Sequence, residues 1–296
     1  MPTRLVVDNL ESYNSLNALQ CFINSVDAGR YVNINKEHPG YEVISFPKVR
    51  LRITDFLRLQ HRKHNVYALI EADVMRPRKY IREHKAITGE TLSFTAFIIA
   101  CLAKAVDENK YMHAYRKGGK QLVLFDDVDV TTVIEHEVSG ERIATPYVIR
   151  AANKKAFAEI HHEIRTAQKK KSQEFKKIPW YEELFFSLPA FVRVFIFGML
   201  GKSPHWRKQV EGTVAVTAIG MFGRGGGWAI PMTDYTLCIA LGGIAEKPGV
   251  VDGRIEIREY LNATIVVDHD IIDGAPLARF SSRLIEFIEN GHGLIE

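Results

Sequence analysis

A histidine and an aspartate four residues apart stand where a strand is predicted to end and a helix to begin. The β-branched run Ala263–Val267 precedes His269, and Asp273 begins an Asp-Gly pair. From Leu277 to Phe287 apolar residues recur at spacings of three and four, which predicts an amphipathic helix. An imidazole at the edge of a rigid strand can act as a general base, and a carboxylate in the next turn can hold that turn in place.

The same residues allow a structural interpretation. Asp273 can cap the following helix, with Pro276 in the first turn, where a missing N–H does little harm. His269 can also be one of eleven ordinary histidines. Local chemistry alone leaves both interpretations open.

Composition indicates a globular chain with a sizeable core. The 296 residues are 46% hydrophobic and 25% charged, enough for one large domain or two modest ones. The net charge is +4, and basic residues concentrate between Lys154 and Lys177. This stretch is typical of a solvated helix face, or of a surface for an anionic partner such as a coenzyme phosphate or an acidic carrier protein. No aromatic-interleaved basic pattern accompanies it, so we do not expect nucleic acid as a partner.

The three cysteines indicate neither disulfides nor a metal site. Cys21, Cys101 and Cys238 are scattered and flanked by apolar residues, so we expect them to be buried hydrophobes in a reducing compartment. The first residues lack the apolar core of a secretory signal, and we expect a cytoplasmic protein without a metal.

Several further segments have recognisable patterns. Phe94–Val106 is apolar nearly all round, which predicts a buried helix. Strands are predicted at Thr213–Ile219 and Tyr235–Gly242, with a short one at Arg254–Arg258. The glycine-rich segment 220–227 matches no phosphate-binding motif and is interpreted as a flexible turn.

The most apolar window is 184–200. Pro189 interrupts it, and Arg193 near its centre would cost about 2.5–3.5 kcal/mol in a bilayer, so a membrane span fits poorly. We expect a core or lid helix lining an apolar cavity. The alternative is a peripheral membrane contact, because lysines flank the window on both sides.

Four segments carry the signatures of a known family. The segment GTVAVTAIGMFG, residues 212–223, is similar to GTFTISNLGMFG, and HDIIDGAPLARF, residues 269–280, is similar to HRxxDGAxxARF. Upstream, LSFTAFIIACLAKAV resembles LSFTDFLVKAxAxAL, and GERIATPYVIRAANKKAFAEI resembles GLxTPVIRxADxxSLxEI. These are signatures of dihydrolipoamide acyltransferases, the acyl-transfer components of 2-oxo acid dehydrogenase complexes, related to chloramphenicol acetyltransferase. The matches occur in the expected order and cover roughly residues 45–290.

The resemblance implies a fold and an assembly. The family fold is a two-layer α/β sandwich of a mixed sheet and helices, the chloramphenicol acetyltransferase-like fold, assembled as trimers with active sites at subunit interfaces. Residues 45–296 are then the catalytic domain, with an apolar insert at about 180–210. Residues 1–44 form an N-terminal arm with room for neither a lipoyl domain nor a peripheral-subunit-binding domain. A lipoyl domain or another enzyme would be a partner on a separate chain.

The resemblance also implies site residues. His269 matches the general base, Asp273 the aspartate that stabilises the active-site loop, and Thr217 the hydroxyl that stabilises the oxyanion, where relatives usually carry serine. His269 and Thr217 would face each other across the trimer interface. Arg50 matches an early basic residue that pairs with Asp273. Coenzyme A thioester is the implied co-substrate, with direct attack and no acyl-enzyme, while no residue is assigned to coenzyme binding.

Departures from the family pattern bear on the substrate. Asp270 follows the histidine where relatives have arginine, and Pro231-Met232-Thr233 replaces their NPP. We therefore expect an acyltransferase that uses a coenzyme A or carrier thioester and a thiol or hydroxyl acceptor, without assuming lipoamide. The insert is predicted to border an apolar acyl pocket, through the side chains of Phe191, Phe195 and Phe197. The alternative is a scaffold or membrane-associated binding protein that retains the fold without the chemistry.

Overall fold

A mixed β-sheet packed against α-helices forms the body of the protein. The computed structural model describes residues 54–55, 57–58, 63–138, 141–169, 188–219 and 225–295. Within these residues the sheet contains both parallel and antiparallel pairs, so the predicted α/β architecture is confirmed. The predicted N-terminal arm, residues 1–44, lies outside them.

Six of the described strands form the main sheet, and two form a separate hairpin. The strands are β1 Asn65–Asp73, β2 Tyr115–Lys117, β3 Gln121–Val123, β4 Val130–Val138, β5 Glu141–Ile149, β6 Val214–Ala218, β7 Leu237–Val251 and β8 Arg254–Asp268. The sheet order is β1-β8-β7-β6-β4-β5, and β2 pairs with β3. Strand β6 is parallel to both its neighbours, whereas the other pairs are antiparallel. Strand β8 therefore lies inside the sheet, hydrogen-bonded on both edges.

The described α-helices connect and follow the strands. They are α1 Met75–Thr88, α2 Phe94–Glu108, α3 Phe157–Lys169, α4 Ala190–Leu200, α5 Pro204–Glu211 and α6 Gly274–Asn290. Helix α2 is buried along most of its length, as predicted, and packs against α3 and α6. Ser93 caps it by accepting a hydrogen bond from the Ala96 N–H at 3.2 Å. In the part of the chain that is described, none of the helices has the length and apolar character to cross a bilayer.

The two faces of the sheet differ in what covers them. On β8 the residues Ala263, Ile265 and Val267 belong to the hydrophobic core that the helices complete. The alternate residues point to the other face, because side chains alternate along a strand. On that second face the neighbouring β1 carries Tyr67 and Leu69, which are partly exposed in the single chain.

The β7–β8 hairpin is longer than the sequence predicts. The expected short strand at Arg254–Arg258 and the strand that ends before His269 are one continuous β8 of 15 residues. Its turn contains Asp252 and Gly253 at φ 50° and 78°, the conformation that favours Asp-Gly in a two-residue hairpin. The prediction divided the strand because its first half is polar and exposed, so it lacks the hydrophobic signal of the second half.

Candidate active site

His269 lies directly after the end of β8. The Asp268 N–H donates to the Thr236 carbonyl at 3.0 Å, and the His269 N–H donates to the His64 carbonyl at 2.8 Å. The Ile272 N–H donates to the Asp268 carbonyl at 3.0 Å, and this hydrogen bond closes the turn that leads into α6. The His269 side chain is 49% exposed, so its backbone is anchored by the sheet while its imidazole is accessible to a substrate.

Asp273 occupies the N-cap position of α6. Its backbone carbonyl accepts from the Leu277 N–H at 3.1 Å, but its side chain makes no capping hydrogen bond. The capping interpretation is thus right for the backbone and wrong for the carboxylate. The carboxylate is 83% exposed, and its Oδ1 lies 3.9 Å from His269 Nδ1, which is beyond hydrogen-bond distance but close enough for charge to act.

An ion pair with a buried carboxylate supports the strand end. Asp268 is fully buried, and its carboxylate pairs with the Lys63 ammonium just before β1. Its other oxygen accepts the Asp270 N–H at 3.1 Å. A buried carboxylate requires such partners, so this pair fixes the residues on both sides of His269. The sequence analysis missed Lys63, which is 205 residues distant along the chain.

Asp270 occupies the position where the resemblance leads us to expect arginine. Its carboxylate contacts His64 Nδ1 at 2.9 Å and Arg116 Nη1 at 2.5 Å. The hydrogen bond from His64, together with the charges of His64 and Arg116, lowers the pKa of Asp270. A guanidinium is therefore still held beside the turn, but it comes from β2 and not from the residue after the histidine.

Thr217 is not close to His269 within one chain. It lies on β6 opposite Ala240 of β7, which in turn is opposite Thr264 of β8. Thr264 precedes His269 by five residues, so Thr217 and His269 are about 17 Å apart in the direction of the strands. Because two strand spacings separate β6 from β8, they are also about 10 Å apart across the sheet. A hydroxyl at that distance cannot act on the group that His269 deprotonates.

Two of the three phenylalanines predicted to line the acyl pocket are exposed. Phe191 and Phe195 of α4 are 76% and 66% exposed. The Phe197 side chain and Arg50 lie outside the described part of the structure. The acyl pocket and the Arg50–Asp273 pair remain predictions.

The described cysteines are buried, as predicted. Burial raises the pKa of the Cys238 thiol to about 12 and that of Cys101 further. Since the thiolate is the nucleophilic form of cysteine, neither thiol is suited to form an acyl-enzyme near neutral pH. Cys21 lies outside the described residues.

The basic stretch begins with paired lysines. Lys154 lies 2.5 Å from Asp127, and Lys155 lies 2.6 Å from Glu163. Both lysines precede α3, and each positive charge has an acidic neighbour. Residues 170–177 of the stretch lie outside the described part.

The family to which the chain belongs follows from comparison with known proteins. The model for the 2-oxoacid dehydrogenases acyltransferase (catalytic domain) matches residues 38–178 and 205–295. These two ranges contain His269, Asp273 and Thr217 and make up most of the chain. The protein is therefore a member of this acyltransferase family.

One relative illustrates this assignment. The dihydrolipoyllysine-residue acetyltransferase component of the pyruvate dehydrogenase complex of Rickettsia prowazekii is 25% identical over 199 residues, which cover 67% of this chain and 41% of the relative. The chain thus spans less than half the length of that relative.

Two solved structures share the fold. The cubic core of a pyruvate dehydrogenase multienzyme complex has a TM-score of 0.64 at 17% identity and covers 89% of this chain and 100% of its own. The dihydrolipoamide acetyltransferase of Azotobacter vinelandii has a TM-score of 0.63 at 17% identity with the same coverage. It was determined to investigate a serine, a histidine and an asparagine in its catalytic mechanism.

Proposed function

We propose that this protein transfers an acyl group between a coenzyme A or carrier thioester and a thiol or hydroxyl acceptor, with His269 as general base. The observation that carries the proposal is the position of His269. It is an accessible imidazole anchored at the end of an internal strand, in a chain that the acyltransferase family model matches on both sides of the apolar insert. Acyl transfer requires several residues of the site, so the role of each residue needs a substitution of its own.

The reaction needs no covalent intermediate on the protein. The neutral imidazole of His269 takes the proton of the acceptor S–H or O–H, and the acceptor attacks the thioester carbonyl. The tetrahedral oxyanion accepts a hydrogen bond from the Thr217 hydroxyl. Collapse breaks the carbon–sulfur bond, and the departing thiolate takes the proton back from the imidazolium. Coenzyme A leaves as the free thiol, with no change in oxidation state.

Residue spacing supports these roles. In the Azotobacter acetyltransferase the investigated serine precedes the histidine by 52 residues, and the asparagine follows it by four. Thr217 and Asp273 stand at the same separations from His269. Threonine offers the hydroxyl that serine offers, whereas Asp273 replaces an amide with a carboxylate.

A second copy of the chain supplies the missing hydroxyl. Because Thr217 is on the order of 20 Å from His269 in one chain, we propose that each site combines His269 of one subunit with Thr217 of another, in a homotrimer. The partly exposed Tyr67 and Leu69 on the second face of the sheet support an interface there. A structural relative forms a cubic core, which is consistent with assembly from such units.

The experiment is a panel of acyl-CoAs with lipoamide, simple thiols and alcohols as acceptors, with coenzyme A separated from acyl-CoA by chromatography. We expect turnover, and a loss of at least about 100-fold in His269→Ala, the range of general base catalysis. His162→Gln, an exposed histidine on α3, is the control and should retain turnover.

Full turnover in His269→Ala would refute the general base. If the unaltered protein turned over none of the substrate pairs, the non-catalytic scaffold would be the better interpretation. A lipoyl domain on a separate chain can be added as acceptor to distinguish a complex component from an enzyme of free thiols.

A further inference from the structure

Helix α4 lies in a segment that the family model skips. The model matches up to residue 178 and resumes at residue 205, whereas α4 spans Ala190–Leu200. The catalytic fold on either side therefore does not require this helix. Its surface calls for a separate explanation.

The helix turns its one charged residue inward. Arg193 is buried, and its Nε donates to Asp55 Oδ2 at 2.7 Å, while its Nη1 donates to the Leu188 carbonyl. Asp55 is also buried, so the ion pair is shielded from solvent. With this arginine satisfied inside, no charge remains on the outer surface of α4.

The outer surface of α4 is an apolar stripe. Phe191, Phe195 and Met199 recur every four residues, which places them on one side of the helix. All three are exposed, the phenylalanines by 76% and 66%. Soluble surfaces rarely expose such a row of large apolar side chains without a partner.

The sequence on either side of this stripe is basic. Residues 165–208 contain ten Lys and Arg against three Glu. Three of these cations pair with carboxylates outside the range, namely Arg193, Arg207 and Lys208. The other seven against three Glu leave a net charge of +4 in this part of the sequence. Lys169 before α4 and Lys202 after it are exposed. An apolar row flanked by lysines is complementary to a surface with an apolar interior and anionic groups at its boundary with water.

We propose that α4 docks the protein onto an anionic phospholipid membrane. The helix lies in the membrane plane, with Phe191, Phe195 and Met199 among the upper acyl chains and the flanking lysines against lipid phosphates. Eleven residues span about 16 Å, roughly half the hydrocarbon thickness, so the contact is peripheral. The proposal does not depend on acyl transfer.

The test is sedimentation of the full chain with sucrose-loaded vesicles of phosphatidylcholine, alone or with 30% phosphatidylglycerol. We expect binding to the anionic vesicles that weakens at high salt. The double variant Phe191→Ser, Phe195→Ser should bind at least tenfold more weakly, since each phenylalanine loses its apolar burial. The matched control is Ile255→Ser, Ile257→Ser, an equally exposed apolar pair on the β7–β8 hairpin, which should bind like the unaltered protein.

Three results would overturn the proposal. The first is a lack of binding to anionic vesicles by the unaltered protein. The second is equal binding by the double variant. The third is an absence of vesicle binding together with an altered property of the double variant. A change in its mass in solution would assign the stripe to contact between copies, and a change in its acyl-chain preference would assign the stripe to the acyl pocket.

Discussion

Lowering the pH should destabilise this protein through His113, a buried histidine outside the active site. His113 Nε2 lies 3.1 Å from the Phe125 carbonyl and must donate to it, so the neutral ring accepts from the Thr213 hydroxyl at Nδ1, 3.0 Å away. The side chain is fully buried, and burial lowers the pKa of His113 from 6.5 to about 4.

The sign and size of the effect follow from proton linkage. Between pH 6.5 and pH 4 the unfolded chain binds a proton that the folded chain does not, so stability is present above pH 6.5 and is lost as the pH falls. The full shift corresponds to about 3 kcal/mol, at about 1.4 kcal/mol per pH unit. Between pH 7 and pH 5 the loss from this one group is about 2 kcal/mol.

The assay is denaturant unfolding of the protein and of His113→Gln at pH 7 and pH 5, at fixed protein concentration. Other groups titrate over this range, so the quantity to compare is the difference in unfolding free energy between the two proteins. We expect this difference to shrink by about 2 kcal/mol at pH 5. His162→Gln, the same substitution at an exposed site, should show no such change. An unchanged difference for His113→Gln would refute the reasoning.

Three substitutions near the site should have distinct effects. Thr217→Ala should lower kcat by about 10²–10³, and Thr217→Ser should restore most of it, as measured by acyl transfer; equal activity in both would exclude an oxyanion role. Lys63→Met leaves the buried Asp268 carboxylate without its cation and should lower the free energy of unfolding by about 3–5 kcal/mol, as measured in denaturant. Asp270→Asn weakens a mostly exposed pair with Arg116 and should lower kcat/KM by less than about tenfold, so a hundredfold loss would indicate direct contact with substrate.

The sequence predicts those parts of the molecule that depend on local pattern. The β-branched run before His269 and the apolar helix Phe94–Glu108 are where the patterns place them, because burial imposes a periodicity that survives in one sequence. The ion pair of Asp268 with Lys63 and that of Asp270 with Arg116 carry no such signal. Each joins segments more than a hundred residues apart, brought together only by the strand order.

The assembly of the site also depends on contacts that leave no local pattern in the sequence. A motif can indicate that Thr217 and His269 act together, but only the register of β6, β7 and β8 shows that one chain holds them apart. The inward turn of Arg193 is likewise invisible in the sequence, where this arginine merely interrupts an apolar window. Its partner Asp55 lies 138 residues earlier.

Complementation between two inactive variants tests the shared active site most directly. His269→Ala and Thr217→Ala are each purified and assayed for acyl transfer, and then co-expressed in equal amounts and assayed again. If every site combines His269 of one subunit with Thr217 of another, random mixing leaves about a quarter of the sites with both residues, and activity returns to that level. Mixed oligomers that form but stay as inactive as the separate variants would contradict the account.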